Sequence, residues 1–554
     1  MSNAVDPYAP PPPPFWVRWS DQTVAVLVGV ITAALTVAAF PPFHAPEFAY
    51  AFAAPAILWA YRRPRLRLYV GTLGAAQIVA WLAILVWLRH VNYVGWILLG
   101  AVVGVWVGVW YLAVWWTVPR MIGRPTAVRL TIQVGLAALW VVIEWTRTWL
   151  LTGFPWLPLS ASQWERPSVL QIAAYTGAWG VSFVLVMANL GFAAYAHRLF
   201  FEDRIGFNKR SQEFFLALFL LLTCLCVHVT ELAGSANGLE ALGRVAFVQP
   251  DIPQTVKWEP EEAPRIVAVL DRLTALAGAS RPNLILWPES AYPWTINEDP
   301  GARAQIDRIA AEAKAPILFG GNVAAAGPNG GEVWYDAGLF ATPQGGLQPA
   351  YYAKRHRVPF GEYIPWRFLF GWLSKVVPIG PDLSAGTDPT PLLVPLAGGE
   401  TAIAPLICYE DVFPDLARSS VRLGADVLVV LTNDGWYGEE GAAYQHAAHS
   451  VLRAVEERRP VLRCGNAGWS GWIDEYGGTG RYIRGEFRSG EHVLQTADAS
   501  VYFRGTRTLA VVRDARWVGR RSFYCEYGDW FVLVCALLAC FGYALAATAS
   551  VQRS

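Results

Sequence analysis

Eight apolar runs, at 23–40, 48–61, 68–88, 94–118, 127–143, 170–194, 214–229 and 530–547, constrain this 554-residue chain more than anything else in it. A helix crosses a bilayer with roughly 20 apolar residues, in a range of about 17–25. Most of the runs reach that length, and the second and seventh are the shortest. Hydrocarbon offers no hydrogen-bond partners, so such runs must satisfy their backbone internally, as helices do. Only 16% of the residues are charged, against about 25% in soluble domains. The run at 23–40 sits where a signal peptide would, but its length and the apolar runs after it read as an uncleaved anchor.

Basic residues between the runs set the orientation. Arg62, Arg63, Arg65 and Arg67 follow the second run; Arg120, Arg124 and Arg129 separate the fourth and fifth; Arg198, Arg204, Lys209 and Arg210 separate the sixth and seventh. The alternate loops hold few: Arg89 after the third run, Arg147 and Arg166 after the fifth. Lys and Arg accumulate on the cytoplasmic side. The expectation is eight spans, both termini in the cytoplasm, and the long segment between runs seven and eight outside. A net charge of +1 gives no reason to expect a nucleic-acid partner. The chain divides into a proline-rich disordered tail at 1–21, a seven-helix membrane domain at 22–233, an extramembrane domain at 234–528, and a final span with its tail at 529–554.

The extramembrane segment has a different texture. Short β-type runs at 244–249, 283–287, 316–319, 401–407 and 427–432 alternate with helical stretches such as 266–276 and 302–313. That alternation implies a layered α/β domain. Seven cysteines make no disulfide scaffold. Cys224, Cys226, Cys535 and Cys540 lie within apolar runs, which leaves Cys408, Cys464 and Cys525 in the polar part. The chain has no CxxC, HExxH or P-loop pattern. His446 and His449 have helical i,i+3 spacing without an acidic third ligand nearby in sequence, so no metal is expected, and no cofactor.

Cys408 ends the β-type run 402–407 and enters Tyr409-Glu410-Asp411. A nucleophile at a strand-to-turn junction is held rigidly and still reachable. Glu289 ends another such strand, in Leu286-Trp287-Pro288-Glu289-Ser290. Taken singly, the two are better read as a core cysteine and a solvated loop glutamate. Lys354 shifts the balance. Only five of 44 basic residues are Lys, so a Lys beside Arg355 suggests that a compact point charge is required, one that sits beside a thiolate and then an oxyanion.

These residues reach a resemblance. Leu286-Trp287-Pro288-Glu289-Ser290, Lys354 with Val358-Pro359-Phe360-Gly361-Glu362, and Ile407-Cys408-Tyr409-Glu410 resemble the three motifs of the nitrilase superfamily. Gln249 to Gln254 with Lys257-Trp258, Thr432 to Gly438, Arg459 to Arg463, and Leu151 to Trp156 match its membrane branch, the bacterial apolipoprotein N-acyltransferases. The resemblance implies an eight-span helical membrane domain carrying a nitrilase-type αββα sandwich. It implies Cys408 as nucleophile, Glu289 as general base and acid, and Lys354 as oxyanion cation. Glu362 and Glu410 become supporting carboxylates, Trp258 and Tyr409 aromatic positions near the acyl and amine sites, and the Tyr409 N–H a second oxyanion donor. The implied donor is a membrane phospholipid, the acceptor a diacylated apolipoprotein, and the location the bacterial inner membrane with the catalytic domain on the periplasmic side.

Arg357 and Ala467 depart from the family pattern. The Arg-rich stretch 504–527 suggests an anionic headgroup contact. The segment from Tyr363 to Leu373 is aromatic-rich and too short to span, which suits a membrane interface. Two rivals remain at this point: a membrane-anchored amidase or nitrilase acting on a small C–N substrate, and a non-enzymatic scaffold for lipoprotein export.

Overall fold

The computed structural model describes residues 20–43, 45–202, 210–235, 238–327, 331–372, 382–396, 399–483, 486–488 and 491–548. The expected tail up to residue 19, Arg204, Lys209 and Leu373 lie outside the described residues.

Among the described residues, seven helices are long and apolar enough to cross a membrane. They begin with Asp21–Ala38, Leu66–Ile84, Tyr93–Thr117 and Thr126–Thr146, and continue with Ala178–His197, Gln212–Ser235 and Trp530–Ala547. The second apolar run is broken instead into a 3-10 turn, Pro46–Tyr50, and a short helix, Ala54–Tyr61. Asn189, buried on the neighbouring helix, explains the break. Its side chain accepts from the Ala53 N–H at 2.7 Å and donates to the Ala49 carbonyl at 2.8 Å. A buried amide thus re-satisfies backbone groups that lipid would leave bare. The short helix then follows Ala178–His197 to its end, where Tyr61 stacks on His197 at 4.0 Å. The sixth run starts its helix later than the pattern suggests, because Gly177 at φ +68° turns the chain just before Ala178.

The helices pack closely where side chains vanish. A Cβ on Gly135 would sit 2.9 Å from the Gly542 Cα, so the Thr126–Thr146 and Trp530–Ala547 helices meet backbone to backbone. The two ends of the bundle differ in charge. At one end Glu213 holds Arg129 at 2.6 Å and Arg198 at 3.2 Å, and Arg124 donates to the Leu545 carbonyl at 3.0 Å. At the other end the bundle carries the second domain.

That domain has two facing sheets. The first runs in the order β13-β1-β2-β3-β4-β5, with β1 Leu239–Gln249, β2 Leu284–Leu286, β3 Ile317–Ala326, β4 Glu332–Thr342, β5 Gly346–Ala353 and β13 Gly505–Asp514. The second runs β10-β9-β8-β7-β6, with β6 Leu392–Leu396, β7 Gly399–Ile407, β8 Val427–Thr432, β9 Val461–Gly465 and β10 Gly471–Ile473, and a separate antiparallel pair joins β11 Arg481–Ile483 to β12 Glu486–Arg488. Phe247, Leu286 and Leu318 from one sheet pack against Ile403, Ile407, Val429 and Leu431 from the other. Helices Ala263–Ala279 and Pro300–Ala313 cover the outer face of the first sheet. Pro414–Arg422 and Ala442–Glu457 cover the second, and their core merges with that of the membrane helices. The result is an αββα sandwich whose second helical layer is also its seat on the membrane domain.

The Gly135–Gly542 contact has a direct consequence. Leu in place of Gly542 is expected to destabilise the protein by about 1–3 kcal/mol through overpacking. Thermal unfolding of the detergent-solubilised variant measures it, and an unchanged melting temperature would remove this contact from the account.

Candidate active site

Parallel strands β7 and β8 pair from Ile403–Val427 to Ile407–Leu431, which sets the chain leaving β7 at the edge of the sheet stack. Cys408 follows at φ +51°, in the left-handed region that a non-glycine residue occupies only when its surroundings hold it there. The holder is Glu410, buried two residues on. Its carboxylate accepts from the N–H groups of Ile407 (2.8 Å), Arg355 (2.6 Å) and His356 (3.0 Å) and from the Tyr352 hydroxyl (2.9 Å). One side chain therefore ties the turn bearing Cys408 to the end of β5, where Lys354 sits.

Glu289 leaves β2 three residues after Leu286. Gly320 on β3 lets it approach: a Cβ there would stand 2.6 Å from the Glu289 Cα. The Lys354 ammonium, 1% exposed, lies 3.2 Å from Glu289 Oε1, 3.3 Å from Asp336 Oδ2 and 2.6 Å from Glu362 Oε1. Glu362 is itself fixed by the Val358 N–H at 2.9 Å. Among charged groups, Glu289 and Lys354 act most strongly on the buried Cys408 thiol.

The electrostatics define the resting protonation. Burial pushes the Lys354 amine down, but Glu362 and then Glu289 overcome it and hold the pKa well above the usual value. Burial would raise the Glu289 pKa, yet Lys354 and then Lys257 bring it below the ordinary carboxylate value. Burial and then the Glu289 charge push the Cys408 thiol well up. The resting site is a thiol beside a carboxylate base, with an ammonium in place.

The triad named from the sequence is thus one buried cluster, with Glu362 and Glu410 against it. Trp258 is half exposed at the end of the Gln254–Lys257 helix, while its neighbour Lys257 turns inward and donates to the Glu289 carbonyl at 3.2 Å. Tyr409 is buried, and its hydroxyl donates to the Gly153 carbonyl of the membrane domain at 3.3 Å. Phe368 is 89% exposed, in a short helix flanked by exposed Trp366 and Trp372. Cys464 is core: its thiol donates to the Val248 and Leu286 carbonyls at 3.4 Å each. Arg357 donates to the Leu383 carbonyl at 2.7 Å and covers the Tyr363 ring. Asn466 beside Ala467 donates to Asn433 Oδ1 at 3.0 Å and to the Ile252 carbonyl at 2.8 Å.

Three features were missed. Asp336 and Lys257 share the active-site charge cluster. The oxygens of Glu289, Asp336 and Glu362 that lie within 4.8 Å of one another surround the Lys354 ammonium, which takes the place of a cation. His446, read for metal only in terms of its sequence neighbours, meets two distant carboxylates, Asp411 at 2.9 Å and Asp434 at 2.8 Å, both also paired with Arg463. His449 instead accepts from the Leu157 N–H at 3.1 Å. The arginines of 504–527 mostly serve as internal ties. Arg504 donates to the Pro250 carbonyl, Arg507 to the Val493 carbonyl, and Arg516 to Asp514, Tyr476 and the Glu231 carbonyl.

The comparisons with known proteins cover both halves. The model for the apolipoprotein N-acyltransferase N-terminal domain matches residues 32–191, and that for carbon-nitrogen hydrolase matches residues 244–497. The apolipoprotein N-acyltransferase of Geobacter metallireducens is 31% identical over 528 residues, covering 93% of each chain. This chain belongs to the apolipoprotein N-acyltransferase family. The relative from Brucella melitensis is 34% identical over 341 residues, covering 60% of this chain and 62% of its own. Among solved structures, an amidase from Nesterenkonia sp. aligns at 18% identity with a TM-score of 0.34, covering 51% of this chain and 95% of that one. An apolipoprotein N-acyltransferase is an acyltransferase built on the carbon-nitrogen hydrolase domain, and this chain carries that domain on a bundle of apolar helices.

The His446 network gives a pH dependence. Burial and Arg463 lower its pKa, Asp411 and Asp434 raise it, and the balance lies at about 9 against an ordinary 6.5. A raised pKa in the fold adds stability that is fully present below about 6.5 and lost as pH climbs through about 9. The difference in melting temperature between wild type and His446→Gln should therefore shrink from pH 6.5 to pH 9. A constant difference would mean that His446 is not an imidazolium in the fold.

Proposed function

We propose that the enzyme moves an acyl chain from a membrane phospholipid, through a thioester on Cys408, to the α-amine of the S-diacylglyceryl cysteine of apolipoproteins. The observation that carries this reading is the position of the site. The turn bearing the Cys408 thiol is fastened directly to the membrane domain by the Tyr409 hydroxyl, which donates to the Gly153 carbonyl.

Glu289 takes the Cys408 proton as the sulfur attacks the ester carbonyl of a phospholipid. The tetrahedral oxyanion forms against Lys354 and the Tyr409 N–H, each such donor typically contributing about 3–4 kcal/mol. Glu289 returns the proton to the departing lysophospholipid oxygen, leaving a thioester. In the second half the acceptor amine attacks, Glu289 takes its proton, and collapse gives an amide and the Cys408 thiol. Glu362 and Glu410 hold Lys354 and the cysteine turn, and Trp258 lines the entry. Ester and amine become alcohol and amide, a downhill exchange that draws on no other energy source.

Both substrates are lipids, which fits a thioester that must outlive attack by water. The exposed Trp366, Phe368 and Trp372 suit the bilayer interface, where aromatic side chains settle. The Arg129–Glu213–Arg198 cluster lies at the bundle end away from the catalytic domain. With positive charge inside, this supports a bacterial inner-membrane enzyme with 234–528 as the periplasmic unit between membrane segments 22–233 and 529–554.

The test supplies purified enzyme with phospholipid and a diacylated lipopeptide bearing a free α-amine, and follows the peptide by mass. One acyl chain should be gained, dependent on Cys408. Lys354→Arg should lose at least about a hundredfold in rate, because a guanidinium does not reproduce the point charge. Free fatty acid with an unchanged lipopeptide would favour hydrolysis, and near-normal turnover of Lys354→Arg would remove Lys354 as the oxyanion cation.

A further inference from the structure

Asp336 sits in mid-strand β4, buried, with its backbone carbonyl accepting from the Lys354 N–H at 2.8 Å. Four charged groups face its carboxyl. They are Lys354 at the end of β5, Glu289 after β2, Glu362 in the following loop, and Lys257 from the Gln254–Lys257 helix. Three ionised carboxylates around one ammonium would leave net negative charge in a site closed to water. Burial pushes the Lys257 amine down to about 8, so at neutral pH it still adds a second cation, but three carboxylates against two ammonium groups leave net negative charge. Carboxylates crowded in this way do not all ionise, and one keeps its proton.

The surroundings decide which one. Glu362 accepts both the Lys354 ammonium at 2.6 Å and the Val358 N–H at 2.9 Å, and is the least buried of the three. Glu289 lies between two lysines, with its Oε1 3.2 Å from the Lys354 ammonium and its carbonyl accepting from Lys257 at 3.2 Å. Asp336 receives Lys354 on Oδ2 at 3.3 Å, while its buried Oδ1 has no hydrogen-bond donor among the described residues. One of its oxygens also lies within 4.8 Å of an oxygen of Glu289, another acceptor, and a hydrogen bond between two such groups exists only if one of the pair carries a proton.

We propose that Asp336 is a neutral positioning residue of the acyl-transfer site: a carboxylic acid that donates to the Glu289 carboxylate and accepts from Lys354. It aims the base at Cys408 and keeps the charge of the cluster balanced while a proton moves between Cys408 and Glu289. Asp336 itself gains and loses nothing in the cycle. The inference rests on the Glu289–Lys354–Cys408 reading, and two of its three readouts are independent of any acyl substrate.

The isosteric variant Asp336→Asn keeps a neutral donor and acceptor in place. Difference infrared spectra of the full-length protein at neutral pH should show a protonated carboxylic acid that Asp336→Asn lacks. The pH midpoint for iodoacetamide labelling of Cys408, read from its peptide by mass, should stay within about 0.3 unit of wild type. An ionised Asp336 would instead lower that midpoint by about a unit or more when replaced, because a negative neighbour of the thiolate would be gone. In acyl transfer, kcat should stay within about threefold for Asp336→Asn and fall at least tenfold for Asp336→Ala. Absence of the acid band, a lowered midpoint, or equal losses in Asn and Ala would each overturn the proposal. If Asp336→Ala does not fold, the spectra and the labelling of Asp336→Asn still decide it.

Discussion

A single buried ammonium organises this active site. Lys354 can stay charged at 1% exposure only because the Glu289 and Glu362 carboxylates flank it, and an isolated ammonium so placed would shed its proton. The same contacts serve chemistry. In the proposed cycle they hold Glu289 ionised, ready to accept the Cys408 proton, and they leave a fixed cation where an oxyanion would form. Because Glu410 bonds both the turn after Lys354 and the turn of Cys408, cation and nucleophile share one rigid frame. No reorganisation is needed when charge develops, which is what makes such electrostatic stabilisation effective.

The frame rests in turn on the membrane domain, through the helix Ala442–Glu457. One of its faces looks at the cysteine turn: His446 lies 3.2 Å from the Cys408 carbonyl and grips Asp411. The other looks at the lipid-spanning half. Gln445 there accepts from the indoles of Trp87 and Trp156 at 2.9 Å each and donates to the Pro41 and Ile84 carbonyls at 2.9 Å each. All four of its hydrogen-bonding positions are filled, so this buried amide adds specificity without an unpaired group. Glu456 continues the seam by accepting from the Ala178 N–H at 2.7 Å. A soluble sandwich would leave this layer facing water; here it is buried, and Gln445 and Glu456 hydrogen-bond across the domain boundary.

Much of this was legible in the sequence, for reasons that differ by element. Glu289 and Cys408 follow apolar strands directly, and Lys354 is rare among arginines, which made them candidates; their roles came from the resemblance of the surrounding motifs to the nitrilase superfamily. The apolar runs announced the bundle, yet nothing local told that Asn189 would capture the Ala53 N–H and break the second run. Pro55 inside that run was the available warning. Asp336 carried a signal too, an Asp within a strand, where Asp is depleted. Only the fold, however, brings it to Lys354, 18 positions along the chain. The arginines of 504–527 looked like a lipid-facing patch because their partners, Pro250, Glu231 and Tyr476, are remote in sequence. The sandwich closes β13 onto β1 and makes those contacts short.

The chemistry turns on whether the acyl group passes through Cys408. The most direct measurement is to mix purified enzyme with phospholipid labelled in its acyl chain, omit any acceptor, quench in acid and find the label by peptide mass. The account predicts one acyl chain on the peptide containing Cys408, released by hydroxylamine, lost in Cys408→Ala and retained in Cys464→Ala. Label on the Cys464 peptide instead, or acyl transfer proceeding with no labelled cysteine at all, would contradict it.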